Sequence, residues 1–148
     1  MTDHAGELES EGIPRAYLLE LVDRTLAGDL DGGVDVTSVA TVPADQVSEL
    51  QLVARAAGVV AGLPVAATAL ERSGRAQVTL NVSDGSEVGP GEVLLSAVGS
   101  TIDLLTAERT ALNLLCHLSG VATATHAWTV ALGPGATRFA EGDRIGIA

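Results

Sequence analysis

With 148 residues, 47% of them hydrophobic and only 2% aromatic, the chain carries about one domain's worth of sequence and enough aliphatic side chains for a single core. Nineteen acidic residues against eight basic ones give a formal charge of -11, the wrong sign for gripping a phosphate backbone, so a general nucleic-acid role is excluded. All eight basic residues are arginine, which removes the chemistries that need a lysine amine: Schiff bases, biotin or lipoyl attachment, and phosphate loops ending in Lys.

The single cysteine, Cys116, has no partner for an internal disulfide, and residues 1–10 are acidic and polar without a cationic region followed by an apolar run. A cytoplasmic protein is expected. Gly, Thr, Asp and Arg interrupt every apolar segment before the roughly 18 residues that a membrane span needs, so no membrane partner is expected.

Residues 1–12 read as a disordered lead-in. Pro14, followed by Tyr17, Leu18, Leu21, Val22 and Leu26 at helical spacing, predicts a helix over about 13–27 that stops at Gly28. A charged, glycine-rich loop then leads to Asp35-Val36-Thr37. Over Glu49 to Ala56, Leu50, Leu52, Ala54 and Ala56 share one face against Gln51 and Arg55, the alternation of a half-buried strand, which Val59 and Val60 extend or follow with a partner. Gly62 breaks that run, and Pro64 opens a short helix with Val65, Ala66, Ala69 and Leu70 inward, closed by Ser73-Gly74. Two more alternating runs, Val78 to Val82 and Val93 to Ala97, flank the turns Asp84-Gly85 and Pro90-Gly91 and should pair antiparallel. Connections this short leave no room for the crossovers of a parallel sheet. The expected fold is therefore α+β, a small mixed or antiparallel sheet backed by helices.

Ser100-Thr101-Ile102-Asp103 resembles a capping box with Asp in place of Glu, and the stretch from Leu104 to Leu118 lacks Gly and Pro, which predicts a long helix. Beyond Ser119-Gly120 the helical pattern resumes through Val121, Thr125, Trp128 and Leu132, ending at Gly133-Pro134-Gly135. At about 100° per residue, Asp103, Thr106, Arg109, Thr110, Asn113 and His117 fall within one polar arc. Arg109, flanked by Thr and Asn, is suited to bidentate recognition of a carboxylate or phosphate, or is simply part of a solvated face. Glu108 falls in the apolar arc, where a carboxylate needs a partner; Arg55 is one option and solvent at the helix edge another. His117 is placed either for acid/base chemistry or for capping carbonyls near a helix end, and Cys116 reads as a small core residue. The three histidines and Cys116 share no metal-binding spacing, so no metal is assigned to the chain.

The segment from Val82 to Leu94, with its Asp84-Gly85 turn and following glycines, resembles the hairpin of biotinyl and lipoyl carrier domains. The absence of lysine counts against a carrier or binding module of that kind.

A more specific resemblance rests on four ordered motifs: Asp35-Val36-Thr37; Arg55-Ala56-Ala57-Gly58-Val59-Val60-Ala61-Gly62; Asp84-Gly85 with its following glycines; and Thr106-Ala107-Glu108-Arg109-Thr110-Ala111-Leu112-Asn113 with His117-Leu118-Ser119-Gly120-Val121-Ala122-Thr123. In this order they resemble the N-terminal domain of quinolinate phosphoribosyltransferase, also known as the carboxylating nicotinate-nucleotide pyrophosphorylase. The resemblance implies a domain over residues 13–135 and a role in NAD biosynthesis, in which quinolinate and phosphoribosyl pyrophosphate give nicotinate mononucleotide, pyrophosphate and CO2. It further implies a homodimer, each N-terminal domain closing a site in the α/β barrel of the other subunit, where the phosphoribosyl donor and Mg2+ bind. The position of Arg109 then binds the dicarboxylate, Glu108, Asn113 and Ser119 support the helix and its turn, and His117 borders the site; no catalytic residue is assigned within the chain. A related pyrophosphorylase-like protein of molybdenum transport loci is the alternative for the substrate.

After residue 135 the sequence leaves the family pattern. Where the family has an Arg-Asp-Thr-Arg-Lys-Thr strand, this chain reads Ala136-Thr137-Arg138-Phe139-Ala140-Glu141-Gly142-Asp143-Arg144. Residues 136–148 are read as a non-family tail produced by truncation or a shifted reading frame, too short for a barrel of about 200 residues. On that reading the chain is expected to be inactive alone and to expose the apolar surface that normally meets the barrel.

Overall fold

The computed structural model describes residues 4–9, 12–30, 33–74 and 76–133. In chain order the elements are α1 (His4–Glu7), α2 (Arg15–Asp29), α3 (Val36–Thr41), β1 (Val47–Val53), β2 (Gly58–Val59), α4 (Leu63–Gly74), β3 (Gln77–Leu80), β4 (Glu87–Val88), β5 (Val93–Ser100) and α5 (Thr101–Leu132). Residues 136–148 lie outside the described part.

β5 is the centre of a three-stranded antiparallel sheet ordered β1-β5-β3, and a two-stranded antiparallel ribbon joins β2 to β4. The register brings the inward residues together: Leu52 faces Leu95, Leu95 faces Leu80, and Ala97 lies between Leu50 and Val78. Because side chains alternate across a strand, one residue of slippage would turn this whole apolar set to solvent, and the buried face holds the pairing in place.

The inner face of the sheet packs under α4 and α5, whose contact is lined by small residues. Ala66, Ala69, Ala107 and Ala111 are fully buried, with Leu63, Leu70, Leu104 and Leu115 filling the space around them. Leu18 and Val22 of α2 complete the core from the other side. The architecture is α+β, with an antiparallel sheet and helices and no barrel among the described residues.

Three features differ from the sequence expectation. Part of the expected disordered lead-in is the helical turn α1, in which His4 and Ala5 are buried and the His4 ring lies 3.6 Å from the Glu71 carboxylate of α4. Ser119-Gly120 does not divide the last helix: α5 runs unbroken through 32 residues, capped at its start by the Ser100 hydroxyl accepting from the Asp103 N–H at 3.5 Å. The Asp84-Gly85 turn is not a free hairpin tip, because the Asp84 carboxylate accepts from the N–H groups of Gly62 at 2.7 Å and Leu63 at 2.9 Å. A residue 21 positions downstream in the chain thus supplies the cap of α4 that no neighbouring side chain provides.

Candidate functional site

α5 carries the polar arc, and its attachment to the rest of the fold fixes where that arc points. The Ser119 hydroxyl accepts from the Ala61 N–H at 3.1 Å and donates to the Ala61 carbonyl at 3.2 Å; one turn later Thr123 does the same to Val59, at 2.9 and 3.3 Å. Two hydroxyls four residues apart therefore dock the helix onto the backbone of β2 and the segment after it. This approach requires glycine at two positions. A Cβ on Gly58 would lie 2.7 Å from Thr123 Oγ1, and one on Gly62, where φ is +93°, would lie 2.5 Å from Leu118 Cδ1. The motif from Arg55 to Gly62 is thereby explained as the seat of α5.

With the helix so seated, Leu105, Arg109, Asn113, Cys116 and Gly120 form an exposed stripe. Cys116 was expected in the core; it is an exposed free thiol, since seven residues on from Arg109 bring the helix back to within about 20° of the same direction. His117 is exposed mid-helix and therefore caps no helix end. Thr110 departs from the polar stripe, being fully buried with its hydroxyl donated to the Asp29 carboxylate at the end of α2. Glu108 is half-buried and has no ion pair among the described residues, neither with Arg55 nor with any other arginine. Ser119 is half-buried, its hydroxyl bonded to the backbone of Ala61.

Arg109 reaches a cavity of about 280 Å3 lined by Asp29, Leu30, Val34, Asp35, Val36, Leu105, Thr106 and Arg109 itself. The guanidinium is exposed and has no ion-pair partner among the described residues, so it is available to a ligand. The two carboxylates of the cavity are already engaged. Asp29 accepts from Thr110, while Asp35, the N-cap of α3, accepts from the Ser38 N–H at 3.1 Å and the Ser38 hydroxyl at 2.5 Å. Those bonds hold the Asp35 carboxyl below its ordinary value of 3.8, the Ser38 hydroxyl contributing most and the positive charge of Arg109 adding a little. Leu30, Val34, Val36 and Leu105 supply apolar wall. The cavity thus offers one free planar cation above an apolar surface, an arrangement suited to a small carboxylate with a ring.

Sequence reasoning identified Arg109 but missed Asp29 and Asp35 as its neighbours, since the end of α2 and the N-cap of α3 reach it only through the way those helices pack against α5. Among the described residues, no three His, Cys, Asp or Glu side chains are grouped to hold a metal ion.

The family model for the N-terminal domain of quinolinate phosphoribosyl transferase matches residues 35–119, from the cap of α3 to the docking serine of α5. The chain belongs to this family. Among curated relatives, the carboxylating nicotinate-nucleotide pyrophosphorylase of Mycobacterium leprae is 42% identical over 116 residues, covering 76% of this chain and 41% of the relative. The mitochondrial decarboxylating quinolinate phosphoribosyltransferase 2 of Nicotiana glauca is 32% identical over 120 residues, covering 80% and 34%. The crystal structure of NadC from Streptococcus pyogenes superposes with a TM-score of 0.77 at 31% identity, covering 82% of this chain and 43% of that one. The chain therefore spans less than half the length of these relatives. No described helix is long and apolar enough to cross a membrane.

Proposed function

We propose that this domain supplies the dicarboxylate-binding half of a quinolinate phosphoribosyltransferase site, with Arg109 forming a bidentate pair with quinolinate. The observation that carries the reading is the unpaired Arg109 guanidinium at the cavity, on the helix that belongs to the family's matched segment. Asn113 and His117, one and two turns further along the exposed stripe, border the site, while Glu108 and Ser119 support the helix. The relatives' names carry quinolinate, which favours it over the molybdenum-associated alternative.

Electrostatics argue that the site has a second wall. Two carboxylates, Asp29 and Asp35, face one guanidinium in the cavity, and the chain as a whole carries -11, so a dianion gains little here unless further cations approach from elsewhere. The barrel of a second subunit in a homodimer is the proposed source of those cations. That barrel would also hold phosphoribosyl pyrophosphate and Mg2+, for which the described residues form no ligand cluster. The exposed free thiol of Cys116 fits the reducing cytoplasm as the place of action.

The test uses this chain through residue 133 joined to the remaining length of the Mycobacterium leprae relative. Arg109→Ala should weaken quinolinate binding by about 2–4 kcal/mol with the fold intact, and Arg109→Lys should restore only part of it. Unchanged quinolinate affinity in the Ala variant would refute the reading.

A further inference from the structure

We propose that Thr110 is a positioning residue: its buried hydroxyl, donated to Asp29 at the end of α2, holds the apolar wall of the cavity in place beside Arg109. The inference rests on the reading of Arg109 as the carboxylate-binding group and deepens it.

The two sides of the cavity are held very differently. Leu105, Thr106 and Arg109 come from α5, which the Ser119 and Thr123 hydroxyls seat on the backbone of Ala61 and Val59. The other five lining residues, Asp29, Leu30, Val34, Asp35 and Val36, belong to one stretch that joins α2 to α3. That stretch is anchored at Leu26, which packs on the core, and at the buried Ser38, and most of its described residues in between are exposed. Its other hydrogen bonds are local: the Leu30 N–H to the Leu26 carbonyl, the Gly33 N–H to the Leu30 carbonyl, and Ser38 to Asp35. Among the described residues, the bond from Thr110 is the one hydrogen bond that ties the stretch to another element.

Both partners of that bond depart from what their own helices favour. Thr25, Thr41, Thr68, Thr106, Thr125 and Thr129 all donate to the carbonyl four residues back. Thr110, like the docking Thr123, reaches another element instead. Asp29 puts a negative charge in the last turn of α2, against the helix dipole, and follows Gly28, a weak helix former. The end of α2 is therefore poor on its own account, and the contact with Thr110 fixes it. Thr110 is fully buried and so touches no ligand. What it does for binding it does through Asp29 and through Leu30, Val34 and Val36, which follow in the chain. A ring gains least from a wall that must be ordered each time a ligand arrives.

The first readout is amide hydrogen exchange at Asp29 and Leu30 in the 148-residue chain. Thr110→Val keeps the side-chain shape and returns the exposed Asp29 carboxylate to water, so no buried group is left without a partner. Exchange at the two amides should rise by about tenfold or more, while the amides of β5 keep their protection. Asp29→Ser, too short to reach Thr110 and similar as a helix former, should do the same from the exposed side, so the outcome does not hang on a core substitution. Thr110→Ser keeps the donor and Asp29→Asn keeps an acceptor, and both should exchange as the unsubstituted chain does. The second readout is kinetic, in the form joined to the remaining length of the Mycobacterium leprae relative. There Thr110→Val should raise KM for quinolinate by about tenfold with kcat and the KM for phosphoribosyl pyrophosphate little changed, and Thr110→Ser should restore it. A loss of folded enzyme would lower kcat and leave KM where it was. Unchanged exchange in both Thr110→Val and Asp29→Ser, or an unchanged KM for quinolinate in Thr110→Val, overturns the proposal. The exchange readout needs no substrate, so a failure of the quinolinate reading in the Arg109→Ala binding test is distinguishable from a failure of Thr110 to hold the wall.

Discussion

Asp35 illustrates how one side chain combines a local structural role with a charge at the site. Its carboxyl is held below 3.8 chiefly by the Ser38 hydroxyl and then by the Ser38 N–H. A depressed folded-state value means that the stabilisation is fully present above the unfolded value and is lost as pH falls through the lowered one. We therefore expect α3 to loosen in acid below about pH 4, read by amide hydrogen exchange over 36–41, and Asp35→Asn to lack that titration. Acid loosening equal in both forms would place its origin elsewhere. Arg109 and Asn113 were legible as exposed from helical spacing alone. Cys116 was equally legible on the wheel, but its usual preference for cores pointed the other way. Thr110 was not legible, because its burial depends on Asp29, 81 residues away.

Among the elements, α4 and α5 are held by groups distant in sequence. Asp84 caps α4 with two hydrogen bonds, one to each carboxylate oxygen, so Asp84→Ala should lower stability by about 1–2 kcal/mol in urea unfolding, and Asp84→Asn, whose amide nitrogen cannot accept the second N–H, should keep only part of it. Gly62→Ala meets both a left-handed backbone and Leu118, and should cost more than about 1 kcal/mol. If Gly62→Ala proves neutral, the close seating of α5 on the segment after β2 is wrong. The strands and the start of α5 could be read from alternation and from Ser100, because those signals are local. The pairing of β1 with β5 could not, since the register joins Val47 to Ser100 across the whole middle of the chain and is set by burial of the shared face. The continuity of α5 past Gly120 was equally hidden. The low helix propensity of Gly120 marks Ser119-Gly120 as a break, whereas the hydroxyls of Ser119 and Thr123 anchor both sides of it to β2 and the residues after it.

For the whole molecule, the sequence resemblance and the fold agree on the family, and the surface carries the further consequence. Val121, Trp128 at 72% exposure, Val130 and Leu132 place large apolar side chains in solvent along the second half of α5, while Val34, Val36 and Leu105 do so beside the cavity. Such surface favours association, so sedimentation of the 148-residue chain should show concentration-dependent self-association; a monomer at all concentrations would contradict this. The central claim is that Arg109 acts in a site which a second subunit completes, and mixing of inactivated subunits tests it most directly. In the form joined to the remaining length of the Mycobacterium leprae relative, one subunit would carry Arg109→Ala and the other a barrel disabled for phosphoribosyl pyrophosphate. Each alone should be inactive, and co-refolded mixtures should regain nicotinate mononucleotide formation, because the mixed dimer contains one site with an intact barrel facing an intact Arg109. No recovery in a mixture proven to contain the mixed dimer would contradict the account.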